Sequence, residues 1–354
     1  MARLTTIIPT FRRPAMLKRA IQSVLAQSLG DFEIHVSDDA SGDETAELVR
    51  TMSATDDRIR YFCHPERVGM MANFASGTQR VRTPFFNILS DDDVVLPGFY
   101  ETAITALDAN PQARFFIGSV IISDPDGNIC GIPALGWPEG VVRPAQAFVR
   151  LATAATWMTW TSMVFSREVL DGVGGINVEI GPPGDFDFEM RIAARYPAVV
   201  SRKPCAIFLN QPTSSTVQNA PAFFIGGCER ILANLESSIS AEETEGRIDR
   251  AEAEMMRAGL NAGCRERVLR AALSAGRRGQ DDAVRKGCEI LERDLQAPKL
   301  STIVRLMRGS SPASRLARGA YELLYGARPL WWRARYQKYK ELVLRALEAP
   351  ATAI

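Results

Sequence analysis

The chain has 354 residues, of which 46% are hydrophobic and 23% are charged. A chain of this length and composition buries a sizeable core, which excludes a disordered protein and a small disulfide-stapled scaffold. The formal net charge of +1 excludes a protein that binds nucleic acid by bulk charge. Residues 1–219 carry a net charge of −5 and residues 220–354 carry +6, so we expect two parts with different partners.

The cysteines and histidines argue against a zinc site and against a histidine-based catalytic triad. The six cysteines are far apart and form no CxxC pair, and His35 and His64 are the only histidines. The N-terminal apolar run is too short for a signal peptide, and no run reaches the roughly 20 apolar residues of a spanning helix. The expected compartment is therefore the reducing cytoplasm.

Short apolar runs alternate with stretches of helical spacing in the first 110 residues. The strand-like runs are residues 4–8, 32–37, 59–62 and 85–89. Alternating strands and helices predict a mostly parallel sheet with helices on both faces. Ligands bind beyond the carboxyl ends of such strands, so the polar residues that follow them are the candidates for chemistry.

The pattern from about 111 to 215 is less regular. It predicts strands at 114–122 and 160–165, a hairpin turn at Asp126 and Gly127, and a helix at 185–196. Residues 228–354 are rich in Ala, Leu and Arg at helical spacing and contain few strand formers. This region is predicted to be an all-helical appendage.

Asp38, Asp39 and Asp43 form the first acidic cluster, directly after a predicted strand. Ser41 or Asp43 would serve as an N-cap for the following helix. Capping explains Asp38 and Asp39 less well. Two carboxylates at a strand end can accept hydrogen bonds from a base or a ribose, so a nucleotide pocket is the alternative explanation.

Asp91, Asp92 and Asp93 form the second acidic cluster, after a strongly apolar strand. Carboxylates held about 4 Å apart repel by about 4 kcal/mol per pair at an effective dielectric of 20. A divalent cation would relieve that repulsion, and Mg2+ or Mn2+ uses one or two carboxylates together with substrate phosphate and water. A solvated acidic turn is the alternative.

Asp185, Asp187 and Glu189 form the third cluster, at the start of a predicted helix, where acids ordinarily complement the helix dipole. No GxGxxG or GxxxxGK[ST] phosphate loop occurs at the first turn. A bound phosphate would therefore be met by a metal ion instead of by a glycine-rich loop.

Taken in order, the motifs resemble the GT-A glycosyltransferases of family 2, which are inverting enzymes that use nucleotide-diphosphate sugars. The resemblance covers residues 4–216 and is carried by TIIPTFRR, FEIHVSDDASGDET, FNILSDDDVVLPG, WTSMVFSREVL, GGIN and GDFDFEMRIA. The helical tail has no such match. The resemblance implies a mostly parallel α/β sheet flanked by helices, with an all-helical C-terminal extension.

The resemblance also implies roles for residues near the nucleoside. Pro9, Thr10 and Phe11 stand where the first strand of the family touches the nucleoside, and the aromatic ring at Phe11 would stack on the base. Asp39 stands where the family binds the base edge, and Asp38 lies beside it.

The remaining motifs imply a metal site and a catalytic base. Asp92 matches the metal-binding acid, with Asp93 as a further metal ligand, and Asp91 would lie near the ribose and sugar. The cofactor would be Mg2+ or Mn2+. Asp185 matches the catalytic base.

Three positions depart from the pattern of the family. Ser90 stands where an acid is usual, which leaves open how Asp91, Asp92 and Asp93 divide their roles. Gly184 stands where the family commonly has Glu. Gln211 replaces the His of an H-x-x-S segment, which puts a metal or phosphate contact from that loop in doubt.

Aromatic and basic residues outside these motifs have two explanations each. Trp137, Trp157 and Trp160 could form a sugar platform, although core packing explains any one of them as well. Arg67 and Arg80 could meet the diphosphate or be solvated surface residues.

The resemblance implies a nucleotide-sugar-binding half at 1–110, an acceptor-binding half with the base at 111–219, and a helical extension at 220–354. The expected reaction is inverting transfer from a UDP- or dTDP-sugar to a hydroxyl of a saccharide or lipid-linked acceptor, in polysaccharide or glycolipid assembly. A nucleotidyltransferase is the enzymatic rival, but its glycine- and arginine-rich phosphate loop is absent. A non-catalytic nucleotide-sugar-binding or scaffold protein is the alternative outside enzymes.

Residues 299–345 carry eleven Lys or Arg and two Glu, interleaved with tyrosines and tryptophans. Cations and aromatic rings together suit an anionic membrane interface. The sequence therefore predicts peripheral contact with the cytoplasmic face of the inner membrane. A helical hairpin that packs its aromatic rings on the catalytic domain is the alternative.

Overall fold

The computed structural model describes residues 2–132, 136–153, 159–211, 215–308, 312, 314–316 and 339–347, without the side chains of 215–223. This part of the chain contains ten strands in one sheet: β1 Leu4–Thr10, β2 Phe32–Asp38, β3 Ile59–Cys63, β4 Phe85–Ile88, β5 Val94–Val95, β6 Phe115–Ser123, β7 Ile129–Gly131, β8 Gly140–Val142, β9 Met163–Ser166 and β10 Ala198–Leu209. The strand order is β3-β2-β1-β4-β9-β6-β10-β5, with β7 beside β6 and β8 beside β10.

The first half of the sheet is parallel, as the sequence predicts. Strand β1 pairs in parallel with β2 and β4, and β2 pairs in parallel with β3. The carboxyl ends of these strands therefore reach one edge of the sheet. The second half is mixed, because β9 runs antiparallel to both of its neighbours, while β6 and β10 are parallel to each other.

The helices flank both faces of the sheet and continue beyond it: α1 Pro14–Leu25, α2 Thr45–Ser53, α3 Met70–Gln79, α4 Phe99–Asp108, α5 Pro144–Thr153, α6 Glu168–Val173, α7 Gly184–Arg195, α8 Ser215–Thr244, α9 Arg250–Arg277, α10 Asp281–Arg293 and α11 Pro298–Arg308. The N-cap of α2 is Glu44 and makes no side-chain cap bond, so neither Ser41 nor Asp43 is the N-cap that the capping hypothesis expects. The Asp43 carboxylate instead accepts from the Thr45 N–H at 2.9 Å, in a turn just before the helix.

Alternation along β1 divides the core between the two faces of the sheet. Ile7 joins the core on the α3 side, whereas Ile8 packs with Leu17 and Ile21 of α1 on the other side. Helix α3 lies very close to the strand at Gly77, because an added Cβ there would lie 2.5 Å from Ile7 Cγ2.

The predicted strand at 160–165 begins later than expected. Trp160–Ser162 is a 3₁₀ turn, and β9 starts only at Met163. The buried Asn87 side-chain amide donates to the carbonyls of Trp160, Thr161 and Met163, at 3.2, 3.3 and 2.7 Å. These bonds hold the turn in a conformation that β propensity alone does not predict. The hairpin turn at Asp126 and Gly127 is confirmed, since it joins the antiparallel β6 and β7.

The C-terminal helices share a core with the sheet domain. Helix α8 begins at Ser215, so the predicted boundary between 219 and 220 lies inside it. Phe148 of α5 and Phe188 of α7 belong to the same buried cluster as Met256 of α9. At Gly263 of α9, an added Cβ would collide with the Ala152 carbonyl oxygen. Helix α9 therefore lies directly against the end of α5.

Most of the basic tail, including residues 317–338, lies outside the described residues, as does Trp157. Residues 339–347 are helical, and Val343 packs with Val94 and Ile207 beside the sheet. Lys340 Nζ donates to the Asn128 side chain at 3.3 Å. None of the helices in the described ranges is long and apolar enough to cross a membrane.

Candidate functional site

A cavity of about 490 Å³ opens at the carboxyl ends of β1, β2 and β4. Seven of the residues predicted from the sequence line it: Pro9, Thr10, Phe11, Asp39, Asp91, Asp92 and Asp185. Asp38 and Asp93 are not among the lining residues. Parallel strands bring these distant segments together, because their ends and the loops that follow meet at one edge.

Phe11 and Asp39 form one end of the cavity. The Arg67 guanidinium lies 4.3 Å from the Phe11 ring centroid, and its Nε lies 3.8 Å from Asp39 Oδ2. The Asp39 carboxylate accepts backbone N–H bonds from Val68 at 2.6 Å and from Gly69 at 3.0 Å. Asp39 is thereby held in one orientation toward the aromatic ring. Arg80 packs instead over Phe62, away from this end.

Asp38 has a structural role beside the cavity. One of its oxygens accepts from the Ser41 backbone N–H at 3.0 Å, and the other accepts from the Tyr61 hydroxyl at 2.5 Å. Burial, together with this carboxylate, raises the pKa of Tyr61. Asp38 therefore fixes the loop that carries Asp39 and does not face the cavity itself.

Asp91 and Asp92 lie together at the middle of the cavity. Asp91 accepts from the Thr10 hydroxyl at 2.8 Å, and Arg13 Nη1 lies 3.2 Å from an oxygen of each aspartate. Burial and the neighbouring Asp92 charge raise the pKa of Asp91 to about 6. Gln211 Nε2 lies 3.4 Å from Asp92 Oδ2, so the loop after β10 also reaches this point.

Asp93 faces the protein interior. It is fully buried, and its two oxygens accept from the Thr161 hydroxyl at 2.6 Å and from the Leu209 N–H at 3.0 Å. Burial raises its pKa well above the usual range. Because both oxygens are engaged away from the cavity, we do not retain Asp93 as a metal ligand.

Protein groups in the cavity supply only some of the ligands that Mg2+ or Mn2+ needs. The described residues contain no cluster of three or more His, Cys, Asp or Glu side chains that could hold a metal. Asp91 and Asp92 both reach the cavity, and two carboxylates suffice for Mg2+ when water and substrate phosphate complete its shell. The pair therefore fits an ion that is shared with a bound diphosphate.

Asp185 also lines the cavity, from the first turn of α7. Its Oδ1 accepts from the Phe186 N–H at 2.7 Å. Burial raises the pKa of Asp185 to about 6, and the Arg267 charge opposes that rise. Gly184 lies close to Met71, since an added Cβ would lie 2.7 Å from Met71 Cε, so a larger residue here requires the flexible end of Met71 to shift.

The other two acids of this helix do not reach the main cavity. Asp187 is fully buried and accepts from Arg191 Nε at 2.9 Å and from Asn234 Nδ2 at 2.6 Å. Glu189 is buried beside Arg267 at a separate small cavity. Asp187 therefore has a structural role at the start of α7, where it pairs with Arg191.

The sequence did not point to Arg13 as a site residue, and it did not show which tryptophan lines the cavity. Arg13 directly precedes Pro14 at the start of α1, so its place after β1 was a usable signal. Trp160 lines the cavity and packs against Phe74 with a centroid separation of 4.6 Å. Trp137 is buried outside the cavity.

Comparison with known proteins matches the first half of the chain to a family. Residues 5–171 match the family model for glycosyl transferase family 2. Residues 5–171 form a glycosyl transferase family 2 domain. The match includes β1, Asp39 and the Asp91–Asp92 pair, and it ends before Asp185.

One relative of this family 2 domain is GalNAc(5)-diNAcBac-PP-undecaprenol beta-1,3-glucosyltransferase from Campylobacter jejuni subsp. jejuni. The two sequences are 35% identical over 130 residues, which are 36% of this chain and 41% of the relative. This chain therefore aligns with less than half of that relative's length.

Two solved structures resemble the whole fold. Staphylococcus aureus TarS 1-349 in complex with UDP-GlcNAc has a TM-score of 0.62 at 15% identity, covering 91% of this chain and 92% of TarS. The mannosyltransferase PcManGT from Pyrobaculum calidifontis, in complex with GDP-Man and Mn2+, has a TM-score of 0.52 at 18% identity, covering 97% and 85%. The fold around the family 2 domain is GT-A-like, with a helical C-terminal region, as the sequence predicts.

Proposed function

We propose that this chain is a metal-dependent, inverting glycosyltransferase that moves a sugar from a nucleotide diphosphate to a hydroxyl acceptor. The observation that carries the proposal is that Asp39, Asp92 and Asp185 line one cavity of about 490 Å³. That volume is in the range of small-molecule sites. The family 2 domain supports the same reaction class.

The nucleoside would bind between Phe11 and Asp39. An aromatic ring stacks on any base, whereas the Asp39 carboxylate only accepts hydrogen bonds. Uracil and thymine offer the Asp39 carboxylate a donor at N3, although the other bases also carry N–H donors. A UDP- or dTDP-sugar is the proposed donor, in keeping with the UDP-GlcNAc complex of the structural neighbour TarS.

Asp92, with Asp91 beside it, would hold Mg2+ or Mn2+, which neutralises charge on a departing diphosphate. The Thr10 hydroxyl orients the Asp91 carboxylate. Arg13 lies between the two acids and offsets their mutual repulsion. These contacts keep both carboxylates directed at the place where the diphosphate would lie.

Asp185 is proposed as the general base. It would remove the proton from the acceptor hydroxyl as that oxygen bonds to the anomeric carbon. The bond from this carbon to the diphosphate oxygen breaks on the opposite face, and the diphosphate leaves with the electron pair, so the configuration inverts. A pKa of about 6 leaves Asp185 ionised at pH 7 and makes it a stronger base than an ordinary aspartate.

The acceptor is proposed to be a saccharide or a lipid-linked saccharide, in polysaccharide or glycolipid assembly. The name of the Campylobacter relative specifies an undecaprenol-linked substrate, which supports this class. Cytoplasmic location, with contact at the inner-membrane surface through 299–345, follows from the same proposal. Helix α11 supports it, because Ile303 and Leu306 are 41% and 42% exposed beside the exposed Lys299.

Acceptor-stimulated release of nucleotide diphosphate tests the central proposal. The purified chain is incubated with UDP- and dTDP-sugars, with and without Mn2+ and a panel of hydroxyl acceptors. A transferase releases diphosphate faster with its acceptor, and proton NMR of the product would report the inverted anomeric configuration. A chain that binds the nucleotide and never releases diphosphate would be the non-catalytic binder of the alternative hypothesis.

Membrane contact has its own test. Liposomes containing anionic lipid are sedimented with the protein at low salt and at high salt. We expect the wild-type chain to pellet at low salt and the double variant Ile303→Ser/Leu306→Ser to pellet less. Val141→Ser is the matched control, because Val141 is also exposed but lies on β8. Wild-type protein that stays in the supernatant would contradict the contact.

A further inference from the structure

Arg267 extends from α9 of the helical region to the wall of the candidate site. Its guanidinium donates to the carbonyl of Leu151 at 3.2 Å and also to that of Ala152. The same group lies 4.4 Å from the Phe186 ring centroid. Arg267 therefore touches two separate elements, the end of α5 and the start of α7.

The contact with α5 caps that helix. Leu151 and Ala152 lie in its last turn, where carbonyl groups have no partner within the helix. A cation that donates to such carbonyls also complements the negative end of the helix dipole. Gly263 makes the contact feasible, because only a residue without a side chain lets α9 approach the Ala152 carbonyl so closely.

The contact with α7 is electrostatic. Asp185, Glu189 and Arg267 line one small cavity of about 20 Å³, together with apolar groups. Of these three, Asp185 also lines the main cavity. Burial raises the pKa of Asp185 and that of Glu189, and the Arg267 charge lowers both. The titratable groups that face Arg267 are Asp185 and Glu189 on α7 and Cys264, Glu266 and Arg270 on its own helix.

We propose that Arg267 is a positioning residue, through which the helical region holds the start of α7 in place and stabilises the charge of the Asp185 carboxylate. The inference rests on the proposed function, which makes Asp185 the base. Its consequence is that the C-terminal helices are part of the catalytic unit and do more than extend the fold.

Two substitutions separate the charge of Arg267 from its hydrogen bonds. Arg267→Gln removes the charge but keeps an amide that can donate to the α5 carbonyls. Arg267→Lys keeps the charge but loses the planar guanidinium. Arg250→Gln is the control, since Arg250 lies on the same helix with its side chain 85% exposed. Thermal unfolding checks that each variant is folded.

The first readout is the titration of the Asp185 carboxyl by carbon NMR, assigned with Asp185→Asn. We expect Arg267→Gln to move that titration upward, because the Arg267 charge lowers the pKa of Asp185. Arg267→Lys and Arg250→Gln should titrate like the wild type. An unchanged titration in Arg267→Gln overturns the inference. If this variant does not fold, Arg267→Met, which also removes the charge, takes its place, and an unchanged titration there overturns the inference.

The second readout is turnover against pH. In Arg267→Gln, the acidic limb of the pH profile of kcat should move with the titration of Asp185, while KM for the donor stays the same. A purely structural role would lower kcat without moving the limb. A wild-type chain that transfers no sugar, yet shows the shifted titration in Arg267→Gln, would refute the proposed function and leave the electrostatic inference standing.

Discussion

Arg13 Nη1 lies 3.2 Å from Asp91 Oδ1, and the same nitrogen is equally close to Asp92 Oδ2. One guanidinium thus offsets the repulsion between two carboxylates that the sequence places side by side. It also competes with any other cation for them. The affinity of the Asp91–Asp92 pair for a metal ion in the absence of nucleotide should therefore depend on Arg13.

Arg13→Met should bind Mn2+ more tightly than the wild type in the absence of nucleotide. We expect a gain of about two- to five-fold, because a partly exposed ion pair contributes up to about 1 kcal/mol. Electron paramagnetic resonance of free Mn2+ measures the affinity. Arg12→Met is the control, since Arg12 packs over Phe11. Equal affinities for wild type and Arg13→Met would show that the guanidinium does not compete.

Substitution of Asp92 should affect metal-dependent binding, whereas substitution of the adjacent Asp93 should affect stability. Asp92→Ala should abolish the dependence of nucleotide-sugar binding on Mn2+ and leave the fold intact. Asp93→Ala should destabilise the protein by about 1–3 kcal/mol, because the Thr161 hydroxyl and Leu209 N–H lose a buried acceptor. Denaturant unfolding and calorimetric titration with Mn2+ measure the two effects. A stable Asp93→Ala protein without a metal response would reverse this assignment.

Asp185→Asn should reduce turnover by about 10²–10⁴-fold, the usual contribution of a general base. Donor binding should survive, because the residues proposed to bind the nucleoside (Phe11 and Asp39) and the diphosphate (Asp91 and Asp92) are unchanged. Asp171→Asn is the matched control, since Asp171 pairs with Arg167 on the surface. Single-turnover transfer and donor affinity are the measurements. Undiminished transfer would remove Asp185 from the mechanism.

Phe11→Ala should weaken binding of the nucleotide by about ten-fold, since stacking of one base on an aromatic ring contributes about 1–3 kcal/mol. Phe11→Tyr keeps the ring and should bind like the wild type. Fluorescence or calorimetric titration with UDP measures the difference. If Phe11→Ala binds UDP as well as Phe11→Tyr does, the base does not stack at this position.

Turnover should fall as the pH drops below about 6. The pKa values of Asp185 and Asp91 are both raised to about 6. Acidification therefore protonates the proposed general base, Asp185, and also Asp91, which lies beside the proposed metal ligand Asp92. The two effects separate in different measurements. The rate of chemistry at saturating donor follows Asp185, whereas Mn2+-dependent donor affinity follows Asp91. A turnover that is flat from pH 7 to pH 5 would contradict both roles.

Local patterns were sufficient for most of the sheet and for the location of the site. Strand periodicity and helical spacing are properties of neighbouring residues, so β1, β2 and β4 and the helices between them could be predicted. The parallel order then places the residues after each strand at one edge. For this reason Asp39 and Asp92, which are far apart in the chain, could be expected at one edge of the sheet, whereas the place of Phe11 was implied by the resemblance to the family.

The sequence by itself determined the acids and their order; only the tertiary structure decided which of them face the cavity. Asp93 faces inward because Thr161 and Leu209, from two distant segments, donate to it. Arg267 lines a small cavity together with Asp185 only because α9 packs against α5 at a glycine. Which way a side chain points at a strand end, and which distant helix lies beside it, depend on packing between segments that no local pattern encodes.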